Sequence, residues 1–258
     1  MKMIDVKNLS YSYQKKGKNV LDKINFSCEK GSINVLMGLN GSGKTTLIKT
    51  IAGLLDNYQG DILIDGMDLK NLPIKERAKK MSYVSQRSNS IDDFLVSDYL
   101  LFGTINKINF YQSPKEKDKK RVLSCAEQFE ISHLLDKKFG EISGGERQIV
   151  SICAAIVQDT NLIILDEPTS ALDIKNQHIV LSIIKKISKE KGITFILSSH
   201  NPNHALYLKS SVFLLKNGKI ISSGQAEDII NAEVLKTVYG EDVCYSVELD
   251  YKEVSFKD

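Results

Sequence analysis

The run Gly38-Leu39-Asn40-Gly41-Ser42-Gly43-Lys44-Thr45-Thr46 limits the possible folds more sharply than any other stretch of this chain. It has the spacing G-x-x-x-x-G-K-[S/T] of a phosphate-binding loop. A compact apolar run, Ser32–Met37, precedes it. Leu47, Ile48, Ile51 and Leu54 follow at helical spacing, so the loop joins a buried strand to a helix predicted over 44–54. The glycines let backbone N–H groups turn inward around phosphate oxygens. The helix then presents unpaired amides and its positive dipole end to the same anion. Lys44 brings a point charge to the outer phosphates, and the Thr45 hydroxyl is suited to ligate Mg2+. A strand, a loop and a helix in that order predict an α/β fold.

A second strand end, bearing two carboxylates, complements the loop. Asn161–Pro168 reads NLIILDEP, a near-continuous apolar run ending in Asp166 and Glu167. Such runs suit strands buried on both faces of a parallel sheet, and Gly192–His200 (GITFILSSH) has the same character. Asp166 would hold Mg2+, through water. Glu167, pointing elsewhere because strand side chains alternate, would polarise an attacking water as a general base.

Strand patterns also fill residues 3–38, and residues 89–160 hold mainly helical ones: Phe94–Ile105, Ser113–Phe129 and Gly144–Asp159. The charged run in the second of these reads as a solvated helix face. Ile179–Gly192 reads as a crossover helix stopped by Gly192, and Ser211–Gly224 as a hairpin turning at Asn217-Gly218. Short helices and a strand, Val243–Leu249, close the chain. The helical stretch is an insertion into one α/β domain. The 258 residues are 42% hydrophobic and 26% charged, which excludes disordered and fibrous classes. A net charge of +3 gives no support for nucleic acid as a partner. No apolar run approaches the roughly 20 residues of a membrane span, and the N-terminus lacks a signal-like stretch. Cys28, Cys125, Cys153 and Cys244 show no metal-ligand spacing and read as reduced, mostly buried residues.

Glu141-Ile142-Ser143-Gly144-Gly145-Glu146-Arg147-Gln148 resembles the LSGGQ signature of ABC-type ATPases, with Ile142 for Leu and Glu146 for the final Gln. Read from the residues, Ser143 and two glycines before a long helix make a second anion site. The resemblance extends over nearly the whole chain. It implies a P-loop NTPase of the ABC type spanning 1–258. Its RecA-like core would be 1–88 and 161–258, with an N-terminal antiparallel β subdomain and a helical subdomain at about 89–160. It implies that Tyr13 stacks on adenine. Gly38, Asn40, Gly41, Ser42, Gly43, Lys44, Thr45 and Thr46 would hold the phosphates of ATP. Ser143, Gly144, Gly145, Glu146 and Asp173 would meet the nucleotide of a second copy in a head-to-tail homodimer. Gln86 matches the glutamine that links Mg2+ and water to the helical subdomain, and Thr45, Gln86 and Asp166 form the implied Mg2+ set. His200 matches the switch histidine at the γ-phosphate, joining Glu167 and Gln86 as catalytic residues. His133, His178 and His204 lack such context and read as structural or solvated.

With no fused span and the chain ending about where the core fold should end, the resemblance implies a free-standing ATPase docked on an integral-membrane permease at the cytoplasmic face of the cell membrane. A substrate-binding protein would take part indirectly. Asp92–Gly103 would form the groove for the permease. Val96–Gly103 and His200-Asn201-Pro202-Asn203-His204-Ala205 resemble segments of importers for iron–siderophore, haem and cobalamin complexes, although Thr104 replaces that group's Arg. Importers of molybdate, zinc or cobalt, an exporter subunit, and a soluble ABC protein outside transport are the alternatives.

Overall fold

The computed structural model describes residues 1–14, 17–86, 92–104, 114–240, 243–248 and 251–256. The chain forms two compact units, Met1–Leu72 with Thr194–Asp258, and Pro73–Ile193. The first unit begins with β1 (Lys2–Tyr11), β2 (Leu21–Glu29), β3 (Ile33–Met37), α1 (Lys44–Ile51), β4 (Gln59–Ile64) and β5 (Met67–Asp68). The second unit holds α2 (Ile74–Lys80), β6 (Met81–Val84), α3 (Val96–Phe102), α4 (Glu116–Gln128), α5 (Gly144–Val157), β7 (Leu162–Leu165) and α6 (Ile174–Lys191). The chain returns to the first unit with β8 (Thr194–Ser199), α7 (Pro202–Leu208), β9 (Ser211–Lys216), β10 (Lys219–Gln225), α8 (Ala226–Ile229), α9 (Ala232–Tyr239), β11 (Val243–Glu248) and β12 (Tyr251–Phe256).

In the first unit, β1 pairs antiparallel with both β2 and β4, giving the expected antiparallel sheet. Its inner face buries Ile4, Val6 and Leu9. In the other sheet β3 lies between β8 and β9, parallel to both. Val35, Leu36, Met37, Phe195, Ile196, Leu197, Val212, Leu214 and Leu215 are almost wholly buried there. Each such aliphatic side chain contributes about 1.5–3 kcal/mol on leaving water. The register puts Met37 opposite both Ser199 and Leu214. Gly38 and His200 therefore leave the sheet side by side, at the carboxyl ends of neighbouring parallel strands, where ligands bind in such sheets. Asn217 and Gly218 both adopt positive φ, +50° and +75°, as the two-residue turn between β9 and β10 requires.

In the second unit β6 and β7 pair in parallel, Val84 opposite Leu165. Helix α5 packs against α3 and α4, burying Ile149, Ile152, Cys153 and Ile156. Helix α4 is the solvated helix expected from its charges, with only Asp118, Val122, Cys125 and Ala126 buried. Helix α6 buries Val180, Leu181, Ile183, Ile184 and Ile187, and Gly192, at φ +65°, ends it.

Several boundaries differ from the sequence reading, and helix α6 starts at Ile174, five residues ahead of the expected Ile179. Helix α1 stops at Ile51 and not at Leu54, because Gly53 turns into the left-handed region at φ +69° and Leu54 N–H donates back to the Lys49 carbonyl. Leu54 is left exposed. Helix α4 starts at Glu116, where the Asp118 carboxylate accepts the Lys115 N–H. Ser113 lies outside the described residues. Helix α3 begins only at Val96, leaving Phe94 and Leu95 exposed ahead of it. The closing strand β11 gains a partner, β12, that the sequence reading did not contain. Cys28, Cys125 and Cys153 are buried free thiols, as expected. Burial pushes the Cys153 thiol far up. The Cys244 side chain lies outside the described residues.

Candidate active site

The phosphate loop runs from the end of β3 into α1. Gly38 sits at φ +148°, and a Cβ there would lie 2.2 Å from the Leu215 carbonyl oxygen. Gly41 and Gly43 also need positive φ, +79° and +109°. The Lys44 side chain is buried, and its ammonium donates to the carbonyls of Gly38 (2.8 Å) and Leu39 (3.1 Å). The Ser42 hydroxyl is buried with no hydrogen-bond partner among the described residues. Helix α1 has no side-chain cap and no acidic residue in its first turn. Uncapped N–H groups, an unmatched hydroxyl and a desolvated cation make a fit for a phosphate chain. Gly38→Ala is expected to displace the loop and abolish measurable ATP binding, since the clash is with backbone. Titration with a fluorescent ATP analogue checks this, and wild-type affinity would show that the Gly38 backbone is dispensable.

Tyr13, 60% exposed, stands edge-to-face on Tyr11 with ring centroids 5.1 Å apart. Its hydroxyl shares a hydrogen bond with Thr46 Oγ1 at 3.1 Å, so the aromatic surface lies beside the start of α1. His200 is exposed after β8, and the Tyr239 hydroxyl donates to its carbonyl at 3.3 Å. His204 is buried, and its pKa is pulled down to about 4 by burial and by the charge of His200. His133 and His178 are exposed.

The second unit brings three predicted residues together. Asp166 follows β7, is 1% exposed, and its N–H donates to the Val84 carbonyl at 2.9 Å. Gln86, just past the end of β6, donates Nε2–H to Glu167 Oε2 at 3.0 Å. Burial and the Asp166 charge push the neighbouring Tyr83 hydroxyl up to about 12. The two carboxylates do not diverge by strand alternation, as the sequence suggested. Strand β7 has already ended at Leu165, and Glu167 turns through φ +47°. The Ser170 N–H and hydroxyl both donate to the Glu167 carbonyl, 3.2 and 3.1 Å, and hold that turn. A non-glycine residue in this region stores on the order of 1–3 kcal/mol and is typical of active sites.

Ser143 is the N-cap of α5. Its hydroxyl accepts the Glu146 N–H at 3.3 Å, while the Glu146 carboxylate accepts the Ser143 N–H at 2.7 Å. That reciprocal pair holds the Glu146 carboxyl below the usual range, the Ser143 hydrogen bonds being the leading cause. Gly144 has open space at its Cβ position, while a Cβ at Gly145 would come within 3.2 Å of the Ala171 carbonyl. Asp173 caps α6 by accepting the Asn176 N–H at 2.7 Å. Asp92–Phe94 hydrogen-bonds to the short 3-10 helix Phe139–Glu141 before the signature: Gly140 N–H to the Asp92 carbonyl and Phe139 N–H to the Phe94 carbonyl. Arg147 ties the same segments together, donating to the Gly140 and Ile142 carbonyls and lying 3.7 Å from the Asp92 carboxylate.

Residues 21–170 match the family described as ABC transporter. The chain belongs to that family. Its ATP-binding domains hydrolyse ATP to drive transport. A Helicobacter pylori protein named as a probable iron chelatin transport ATP-binding protein is 35% identical over 92% of this chain and 92% of its own length. The petrobactin import ATP-binding protein of Bacillus subtilis is 32% identical over 92% of each chain. A solved structure described as an inward-facing conformation of a putative metal-chelate type ABC transporter superposes with a TM-score of 0.82, at 28% identity over 100% of this chain and 97% of that one. Among the described residues of this ABC chain no helix is long and apolar enough to cross a membrane. The sequence reading missed the partners that orient its site residues: Ser170 at Glu167, Arg147 at the signature, Tyr239 at His200. Each acts through a backbone carbonyl, near in sequence for Ser170 and Arg147 and 39 residues away for Tyr239, and a contact to backbone leaves no motif.

Proposed function

We propose that this chain is the ATP-hydrolysing subunit of an importer for a chelated metal, an iron–siderophore, haem or cobalamin complex, working through a separate permease. The hydrogen bond from Gln86 to Glu167, beside buried Asp166, carries the hydrolytic half of this reading. The names of the iron-chelate relatives and the likeness of Val96–Gly103 to that importer group support the cargo class.

In this reading Lys44, the loop amides and Ser42 bind the phosphates, with Asn40, Gly41 and Thr46 along the same loop, and Tyr13 stacks on the base. Thr45, Gln86 and Asp166 offer hydroxyl, amide and carboxylate oxygens, a hard donor set suited to Mg2+. Bound Mg2+ would neutralise charge on the phosphates. Glu167 takes the proton of the attacking water, Gln86 fixes its carboxylate, and His200 contacts the γ-phosphate. Ser143, Gly144, Gly145, Glu146 and Asp173 act on the nucleotide of a second copy, so two chains close head-to-tail around ATP. ATP favours closure only by as much as it prefers the closed dimer.

Phe94 and Phe102 meet edge-to-face at 5.2 Å, and both are more than 40% exposed. They are the proposed permease contact at the cytoplasmic face. Affinity purification from detergent-solubilised membranes tests this. A many-span permease should co-purify with the wild type. The double variant Phe94→Ala/Phe102→Ala should lose it while binding ATP normally. Recovery of the wild type only with ribosomes, DNA or nothing would remove the transport reading and leave the ATPase chemistry standing.

A further inference from the structure

We propose that His204 is a positioning residue for His200, locking the backbone on both sides of it through Ser199 and Asn201. This rests on the reading of His200 as a γ-phosphate contact. Ser199 and Asn201 flank His200, and the side chains of both reach His204: Ser199 Oγ lies 3.2 Å from Nδ1 and Asn201 Nδ2 lies 3.3 Å from Nε2.

The hydrogen-bond directions follow from one fixed point. Asn201 Oδ1 accepts the Asn203 N–H at 3.0 Å as the cap of α7, so its NH2 must face the ring. An NH2 group only donates, so Nε2 of His204 is the acceptor. The single ring proton then sits on Nδ1 and is donated to Ser199 Oγ. Ser199 Oγ also accepts the Asn201 N–H at 3.1 Å, and its own proton points at the Asn201 carbonyl, 3.4 Å away. The circuit closes around His200 with every direction consistent. A protonated ring would set N–H against NH2, and the low pKa of about 4 keeps His204 neutral. From outside, the Tyr239 hydroxyl holds the His200 carbonyl. The exposed His200 ring thus leaves a backbone fixed on three sides.

Two measurements test this. In 15N-labelled protein, the His204 ring should carry its proton on Nδ1 with Nε2 bare; a proton on Nε2 overturns the circuit. In kinetics, His204→Leu removes both ring contacts and should lower kcat on the order of 10–100-fold, with KM for ATP and the affinity for a fluorescent ATP analogue unchanged. His204→Gln keeps an oxygen that can accept from Asn201 and should recover part of the loss, which also controls for misfolding of the Leu variant. Turnover of His204→Leu equal to wild type overturns the proposal. So does a parallel loss of turnover and nucleotide affinity in both variants. His200→Ala separates the premise: if it turns over normally, the reading of His200 has failed, whereas its loss with an unaffected His204→Leu sinks the positioning role alone.

Discussion

Glu167→Gln is expected to lower ATP turnover about 10²–10⁴-fold, the usual cost of removing a general base, while ATP binding stays intact. The geometry makes this substitution a clean one. Gln86 donates to Glu167 Oε2, and an amide oxygen in the same place can still accept that hydrogen bond. The turn at φ +47° is held by Ser170 through the Glu167 carbonyl, which the substitution does not touch. Shape, the Gln86 hydrogen bond and the Ser170-held turn are kept, and basicity is lost. Because ATP then persists, the variant should also accumulate as a dimer in ATP. Single-turnover hydrolysis, analogue titration and size-exclusion chromatography with and without ATP read the three parts. Wild-type turnover would remove Glu167 from the chemistry. Lost binding together with lost turnover would make it a structural residue of the loop after β7.

The parts of this site that were legible beforehand are those written into consecutive residues. The phosphate loop is one unbroken run. Strands β3, β7 and β8 are apolar on both faces, so their composition alone places them inside a parallel sheet. The Asn217-Gly218 turn and the Gly192 stop each follow from positive φ. What stayed hidden depends on backbone turns and side-chain contacts that residue type alone does not announce. Leu54 continues the helical spacing of α1, yet a local left-handed Gly53 outweighs it. Strand β12 exists through its register with β11, Val243 opposite Phe256, which its own residues do not announce. The backbone of Glu167 could not be read from alternation, because the strand carrying it stops two residues earlier. His204 looked like a spare histidine, since its role comes from Ser199 and Asn201, two ordinary residues on either side of a motif position.

Lys44→Ala should weaken ATP binding by about 10–10²-fold, the 1.5–3 kcal/mol typical of hydrogen bonds to a charged group. Two features raise the value of this particular ammonium. It is 5% exposed, so its desolvation is borne by the fold and not by the binding step. It also holds the Gly38 and Leu39 carbonyls inward, at 2.8 and 3.1 Å, which leaves the loop amides free to face an anion. The variant therefore loses a charge and relaxes the loop together. Lys44→Arg should not restore affinity, because a planar guanidinium is longer than the ammonium that these two carbonyls enclose. Thermal melts separate binding from folding. Without nucleotide the Ala variant should melt close to wild type, and the rise in Tm that ATP gives the wild type should be lost, as linkage between binding and stability requires. If that rise survives in full, Lys44 does not bind the nucleotide, and the assignment of Gly38–Thr46 as the phosphate site goes with it.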